Sequence, residues 1–277
     1  AVLVPLGMWR IRGSPSALSH DEEARTCDFA TFATLAAPEH LANDGVLYFE
    51  VQLLQFDEGS YPQIGFAAAD FAHGDEIDNN GVGDDTVSWG FDGERNQLWH
   101  GGATPWDGAW EQGGVIGFAA NVDSGQIAVS VEGRWTGGAV GVKFTSDAIR
   151  TGVYPAITGD RIRVRYAIEP EALAGAPPSP REWLDAALLD GHDAAAAKLV
   201  EIGGVDLVAK TGEKQQMAPH LAARHGCAEA LRQMLSAGAV EVDALFGPSL
   251  TPLYLAAQEG HAPCLQLLID AKANVDA

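Results

Sequence analysis

Thr251-Pro252-Leu253-Tyr254-Leu255-Ala256-Ala257, with Gly260-His261 three residues on, decides how the second half of this chain folds. The Thr251 hydroxyl can accept from the free amides of a helix's first turn. Pro252 suits the first helical position, where no amide donor is required. Gly260 turns left-handed at little cost and ends the helix. Outward from this stretch the same layout recurs. Gly191-His192, Gly226-Cys227 and Gly260-His261 are spaced 35 and 34 residues apart. Apolar residues at helical spacing surround each pair: Trp183, Ala187 and Leu188; Leu221, Leu231, Met234 and Leu235; Leu255, Leu265, Leu268 and Ile269. Two short helices per unit, at a period near ~33 residues, predict a stacked helical solenoid.

Toward the N-terminus the period changes. Val46–Leu53, Gln63–Ala67, Val87–Phe91, Val115–Ala119, Ile127–Val131 and Arg161–Ala167 are rich in β-branched and aromatic residues. Most alternate only partly. Arg161–Ala167 alternates cleanly, with Ile162, Val164 and Tyr166 on one side and Arg161, Arg163 and Arg165 on the other. Gly, Asn and Asp punctuate the gaps and supply turn conformations, so a β-sandwich or barrel is expected. Glu169–Pro180 (EPEALAGAPPSP) holds four prolines and reads as a stiff, exposed linker. The expected organisation is a sandwich over 1–168, a linker over 169–180, and helical units near 181–212, 213–246 and 247–277.

The chain of 277 residues carries a formal charge of −21. Residues 1–180 hold 25 acids and 10 bases, and residues 181–277 hold 13 and 7. Acidity in both halves opposes nucleic acid and anionic membranes as partners and permits a basic one, though it also serves solubility alone. The three cysteines, Cys27, Cys227 and Cys264, are too few and too far apart for a disulfide framework or a zinc site. They fit a reducing compartment, the cytoplasm or nucleus.

TPLYLAAQEGHAPCLQLLIDAKANVDA resembles nearly a whole ankyrin repeat. Residues 217–244 form a second unit, with Met217-Ala218 at the Thr-Pro place, and residues 182–210 a third that lacks the signature. Lys272 stands where the repeat has glycine, which should weaken that helix end. The last residues, Asn274-Val275-Asp276-Ala277, resemble the entry to a following repeat. Further repeats are therefore expected after them, with Leu265, Leu268 and Ile269 uncovered in their absence. The β half resembles the SPRY domain, a bent β-sandwich of the concanavalin-like kind. The resemblance rests on Gly45–Val51, Ile64-Gly65-Phe66, Val82–His100 (VGDDTVSWGFDGERNQLWH), Gly114–Gly125, Val153–Ala156 and Arg163–Tyr166. It is nearest to the SPRY domains of SOCS-box adaptor proteins. It implies peptide or protein binding through loops at one end.

The first such loop is Asp70–Asp85, with six acids: Asp70, Asp75, Glu76, Asp78, Asp84 and Asp85. Where the resembled branch presents an aromatic and an aliphatic residue, this chain has Asp78 and Gly81, so a basic or polar ligand is expected. The candidate ligand-binding residues are Asp75, Glu76, Asp78, Asn80 and Asp84, with Trp106 and Trp110 from the Gly-rich loop Gly101–Gly114 and Arg161 from the short late loop. The tryptophans could anchor a partner or fold back over the sandwich edge. Asp78-x-Asn80 does not have EF-hand spacing, because Val87 stands where a bidentate glutamate belongs. No metal or cofactor is expected. No nucleophile elbow, P-loop or zincin motif occurs in the sequence. The expected function is a non-enzymatic interaction scaffold or adaptor that binds protein or peptide, as a monomer or within a larger assembly. The alternative is a carbohydrate-binding or hydrolytic lectin-like sandwich, with Glu50 and Asp123 as its carboxylates.

Overall fold

A computed structural model describes residues 10–56, 59–73, 80–136, 138–168, 172–211 and 216–276. The chain divides into two compact units, the first covering most of residues 1–177 and the second residues 178–277.

The first unit is a sandwich of two antiparallel sheets. Its strands are β1 (Arg10–Arg12), β2 (Leu18–Asp21), β3 (Thr26–Phe29), β4 (Ala33–Ala36), β5 (Val46–Phe56), β6 (Gln63–Ala68) and β7 (Ser88–Asp92). They continue as β8 (Gln97–Trp99), β9 (Ala103–Pro105), β10 (Val115–Asn121), β11 (Gln126–Val131), β12 (Gly141–Thr145), β13 (Val153–Gly159) and β14 (Ile162–Ala167). One sheet runs β1-β4-β13-β6-β7-β8-β9, the other β12-β11-β10-β5-β14-β3-β2. Between them lies an aromatic core, where Phe49 stacks on Phe118 at 5.0 Å and meets Phe66 edge-on at 5.2 Å.

Strands differ in how far their outer faces are covered. On β14, Ile162, Val164 and Tyr166 are buried while Arg163 and Arg165 stand exposed, as the alternation predicts. Strands β6, β7 and β13 are buried along their whole length. Their partial alternation has a physical cause, since both faces are covered. The segment between β6 and β7 folds back across the sheet and seats Phe71 and Val82 on Ala36, Ala67, Tyr154 and Ala156. Covering each of those two side chains is worth roughly 1.5–3 kcal/mol. Gly90 in β7 makes room, for a Cβ there would lie 2.2 Å from the Val82 carbonyl oxygen.

The proline-rich stretch is only partly the exposed linker expected of it. The amides of Ala174 and Gly175 both donate to the buried Glu50 carboxylate at 2.7 Å, which also accepts from the Tyr48 hydroxyl at 2.5 Å. Ser179-Pro180 begins a helix. The Ser179 hydroxyl accepts from the Glu182 amide and the Glu182 carboxylate accepts from the Ser179 amide, a complete capping box. Ser179-Pro180 thus does in the first helical pair what Thr251-Pro252 does in the third.

The second unit contains α1 (Pro180–Leu189), α2 (Asp193–Ile202), α3 (Ala218–Arg224), α4 (Ala228–Ser236), α5 (Pro252–Glu259) and α6 (Ala262–Asp270). Thr251 Oγ1 accepts from the Tyr254 amide at 3.2 Å, and Gly260 closes α5 at φ 79°. Polar contacts tie the helix pairs and their connections together. The Asp193 carboxylate accepts from the amides of Glu229 and Ala230 at 2.9 and 2.8 Å. The His220 ring reaches the Ala244 carbonyl and the His261 ring the Arg224 carbonyl, each at 2.9 Å. Lys272 adopts φ 67°, the left-handed conformation that Gly238 adopts at φ 63° after α4. The last helix is better covered than expected. Leu268 is fully buried and Leu265 half-buried, while Ile269 is 47% exposed. Cys27, Cys227 and Cys264 are free and buried, and burial pushes the thiols of Cys227 and Cys264 up to about 12 and about 11.

Candidate interaction surface

The covering segment between β6 and β7 is shaped by Arg12, a residue the sequence reading did not single out. Arg12 is 3% exposed and lies 3.5 Å above the Phe71 ring. Its Nε donates to the Ala72 carbonyl at 2.7 Å, Nη1 to the Asn80 carbonyl at 3.4 Å, and Nη2 to the Asp85 carboxylate at 3.0 Å. One guanidinium therefore holds both shoulders of the acidic loop. Beside it, His73 meets the Tyr154 hydroxyl at 3.2 Å. Burial, then the charges of Arg12 and Arg10, holds that imidazole down to about 4.

The expected site residues take different roles. Asp75, Glu76 and Asp78 lie outside the described residues, between the two points that Arg12 grips. Asn80 is exposed beside them. Asp84 works within the loop, because its carboxylate accepts from Gln63 Nε2 at 2.8 Å and from the Gly81 amide at 2.6 Å. Asp85 likewise accepts from the Ser88 hydroxyl at 2.6 Å and the Val87 amide at 3.2 Å. Gly81 suits its place, where a Cβ would fall 2.0 Å from Gln63 Oε1.

Trp106 and Trp110 require a correction. At 7% and 6% exposure they belong to the sandwich core. Trp106 packs edge-on to Phe91 and donates Nε1–H to the Ala139 carbonyl at 2.8 Å. Trp110 lies over Gly93 and edge-on to Phe118. They close the sandwich edge instead of anchoring a partner, as large amphipathic rings do when the core beneath them has room. Among the described residues the start of the Gly101–Gly114 loop joins the acidic segment, through the Gly101 amide to the carbonyls of Gly83 and Asp85 at 2.9 and 2.8 Å. Arg161, at φ 54° in the β13–β14 turn, is exposed and donates to the Gly59 carbonyl.

Tyr61, Arg95 and Trp99 complete the surface. The Arg95 guanidinium lies 4.7 Å from the Tyr61 ring centre and 4.6 Å from that of Trp99, held by the buried Asp92 carboxylate. Asp92 also accepts from the amides of Glu94 and Arg95 at 3.0 and 2.9 Å. Burial raises its carboxyl above the ordinary range, opposed by those bonds to Arg95 and Glu94. Trp99 backs onto Gly83, and Tyr61 is 37% exposed. The stack was hidden in Phe91-Asp92-Gly93-Glu94-Arg95, which reads as a turn; only sheet pairing brings Tyr61 and Trp99 to it.

Among the described residues no group of three His, Cys, Asp or Glu is placed to hold a metal ion. Glu50 and Asp123, the carboxylates considered for glycoside chemistry, are engaged by the chain, Asp123 accepting from the Gly45 amide at 3.1 Å. A sandwich with a loop-covered face, followed by stacked helix pairs, defines a class of protein built from binding modules. The family comparisons give those modules names. Residues 46–163 match the SPRY domain and residues 183–277 match ankyrin repeats in three copies, so the chain carries a SPRY domain followed by ankyrin repeats. Both are protein-interaction domains. No curated protein matches the chain. Among solved structures, the SPRY domain of human HERC1 matches at 13% identity and a TM-score of 0.44, over 57% of this chain and 98% of that one.

Proposed function

We propose that this chain is an adaptor whose SPRY half takes a basic peptide or protein surface on its acidic loop and whose ankyrin half offers a second binding surface. The observation that carries the reading is the Arg12 grip on Ala72, Asn80 and Asp85. Fixed shoulders lower the ordering cost of binding through Asp75, Glu76 and Asp78. Exposed Asn80 and the Tyr61–Arg95–Trp99 stack are further contacts in this reading. The buried free thiols suit the cytoplasm or nucleus, and among the described residues no helix is long and apolar enough to cross a membrane.

The test is fluorescence anisotropy of a labelled Lys/Arg-rich decapeptide on the full chain. Replacing Asp75, Glu76 and Asp78 together with Ser should weaken binding about tenfold or more and flatten its salt dependence. It should leave the denaturation midpoint nearly unmoved. Equal affinity of variant and parent would refute the acidic-loop assignment.

A further inference from the structure

The covered face of one sheet contrasts with one strand of the other, β14, whose outer side is exposed. Arg163 and Arg165 project from β14 into solvent, Arg161 precedes them in the turn, and Arg25 borders the same face from the β2–β3 turn. These are four of the ten bases in residues 1–180, a region with 25 acids. Among the described residues Arg163 and Arg165 form no ion pair, and Arg165 donates to the neutral Gln52 side chain at 3.1 Å. Arg161 pairs with Asp160 at 3.8 Å. Arg163 stands directly across from Asp28 in the β14–β3 register, yet forms no ion pair with it. Two cavities border the strand, one of about 290 Å³ around Asp28, Gln55, Arg161 and Arg163, the other of about 250 Å³ around Arg25, Glu50, Gln52 and Arg165.

We propose that this outer face of β14 docks an extended acidic segment of a partner protein, independently of the acidic loop on the opposite sheet. β14 is bonded on both sides, to β5 and to β3, so a partner cannot add as a strand and must be read through side chains. Arginines at alternate strand positions stand about 6.7 Å apart, and an extended peptide repeats the side chains of one edge at the same interval. Glutamates at every second position therefore meet successive guanidinium forks, which suit carboxylates. The fixed two-residue spacing of Arg163 and Arg165 suits such a peptide better than an anionic membrane, which has no such period.

The test uses the full chain and a labelled Thr-Glu-Thr-Glu-Thr-Glu-Thr peptide, followed by anisotropy at low salt and at about 0.5 M salt, where screening is short-ranged. Binding should weaken with salt, and R163Q/R165Q should lose about tenfold or more. D28N should tighten binding severalfold, a gain that misfolding cannot produce. A peptide of the same composition with its glutamates adjacent should bind more weakly. Absence of binding, or binding indifferent to R163Q/R165Q, overturns the proposal. So does retention on phosphatidylserine vesicles that R163Q/R165Q abolishes while the peptide is ignored, which would assign the row to membranes.

Discussion

Arg12 and Asp193 do the same work in the two halves at very different ranges. In the sandwich, Arg12 joins groups 60, 68 and 73 residues away. In the helical array, Asp193 satisfies amides 36 and 37 residues on, and His261 reaches 37 residues back, about one repeat in each case. A repeated fold confines such ties to a neighbouring unit, even where the residue itself changes, as from Asp193 to Ala228 and Ala262 at the starts of α2, α4 and α6. A sandwich draws them from distant parts of the chain.

The sharpest break in the comparison would come from Arg12. Arg12→Met keeps volume over Phe71 but frees two loop carbonyls and the half-exposed Asp85, and should cost about 2–3 kcal/mol, less than a fully buried pair because water reaches Asp85. Urea denaturation checks this, and hydrogen exchange should show faster opening around Ala72 and Asn80. In the array, Asp193→Ala removes a cap supplied by a neighbouring repeat and should cost about 1–2 kcal/mol, the usual value of an N-cap. A loss as large as that of Arg12→Met would mean that repeats are not the more forgiving design. The smallest effect is a gain. Lys272→Gly relieves a left-handed lysine and should raise the array's stability by about 0.5–1 kcal/mol, read as a shift in thermal midpoint.

The same contrast decides what the sequence could reveal. Thr251-Pro252 and the Gly-His pairs declare the helical array because every contact they imply is local or one period away. The Arg163–Arg165 alternation was equally plain, since one face of β14 is bare. By contrast, the full burial of β6, β7 and β13 depends on Phe71 and Val82 folding back over small residues, which no local period encodes. Ser179-Pro180 read as linker because three other prolines surround it; its capping role depends on Glu182. For Trp106 and Trp110 the sequence left anchoring and folding back both open, because Gly93 and Gly108 open space for their rings only once the sheets have closed.

The three buried cysteines have a practical consequence. Alkylating reagents attack the thiolate, which burial suppresses in each case. Cys27 sits in the sandwich, and Cys227 and Cys264 in the array. Each half therefore contains its own stopwatch. The rate at which Cys27 takes up label times the opening of the β-sandwich, and the rate at Cys227 and Cys264 times that of the repeats, in one unaltered chain.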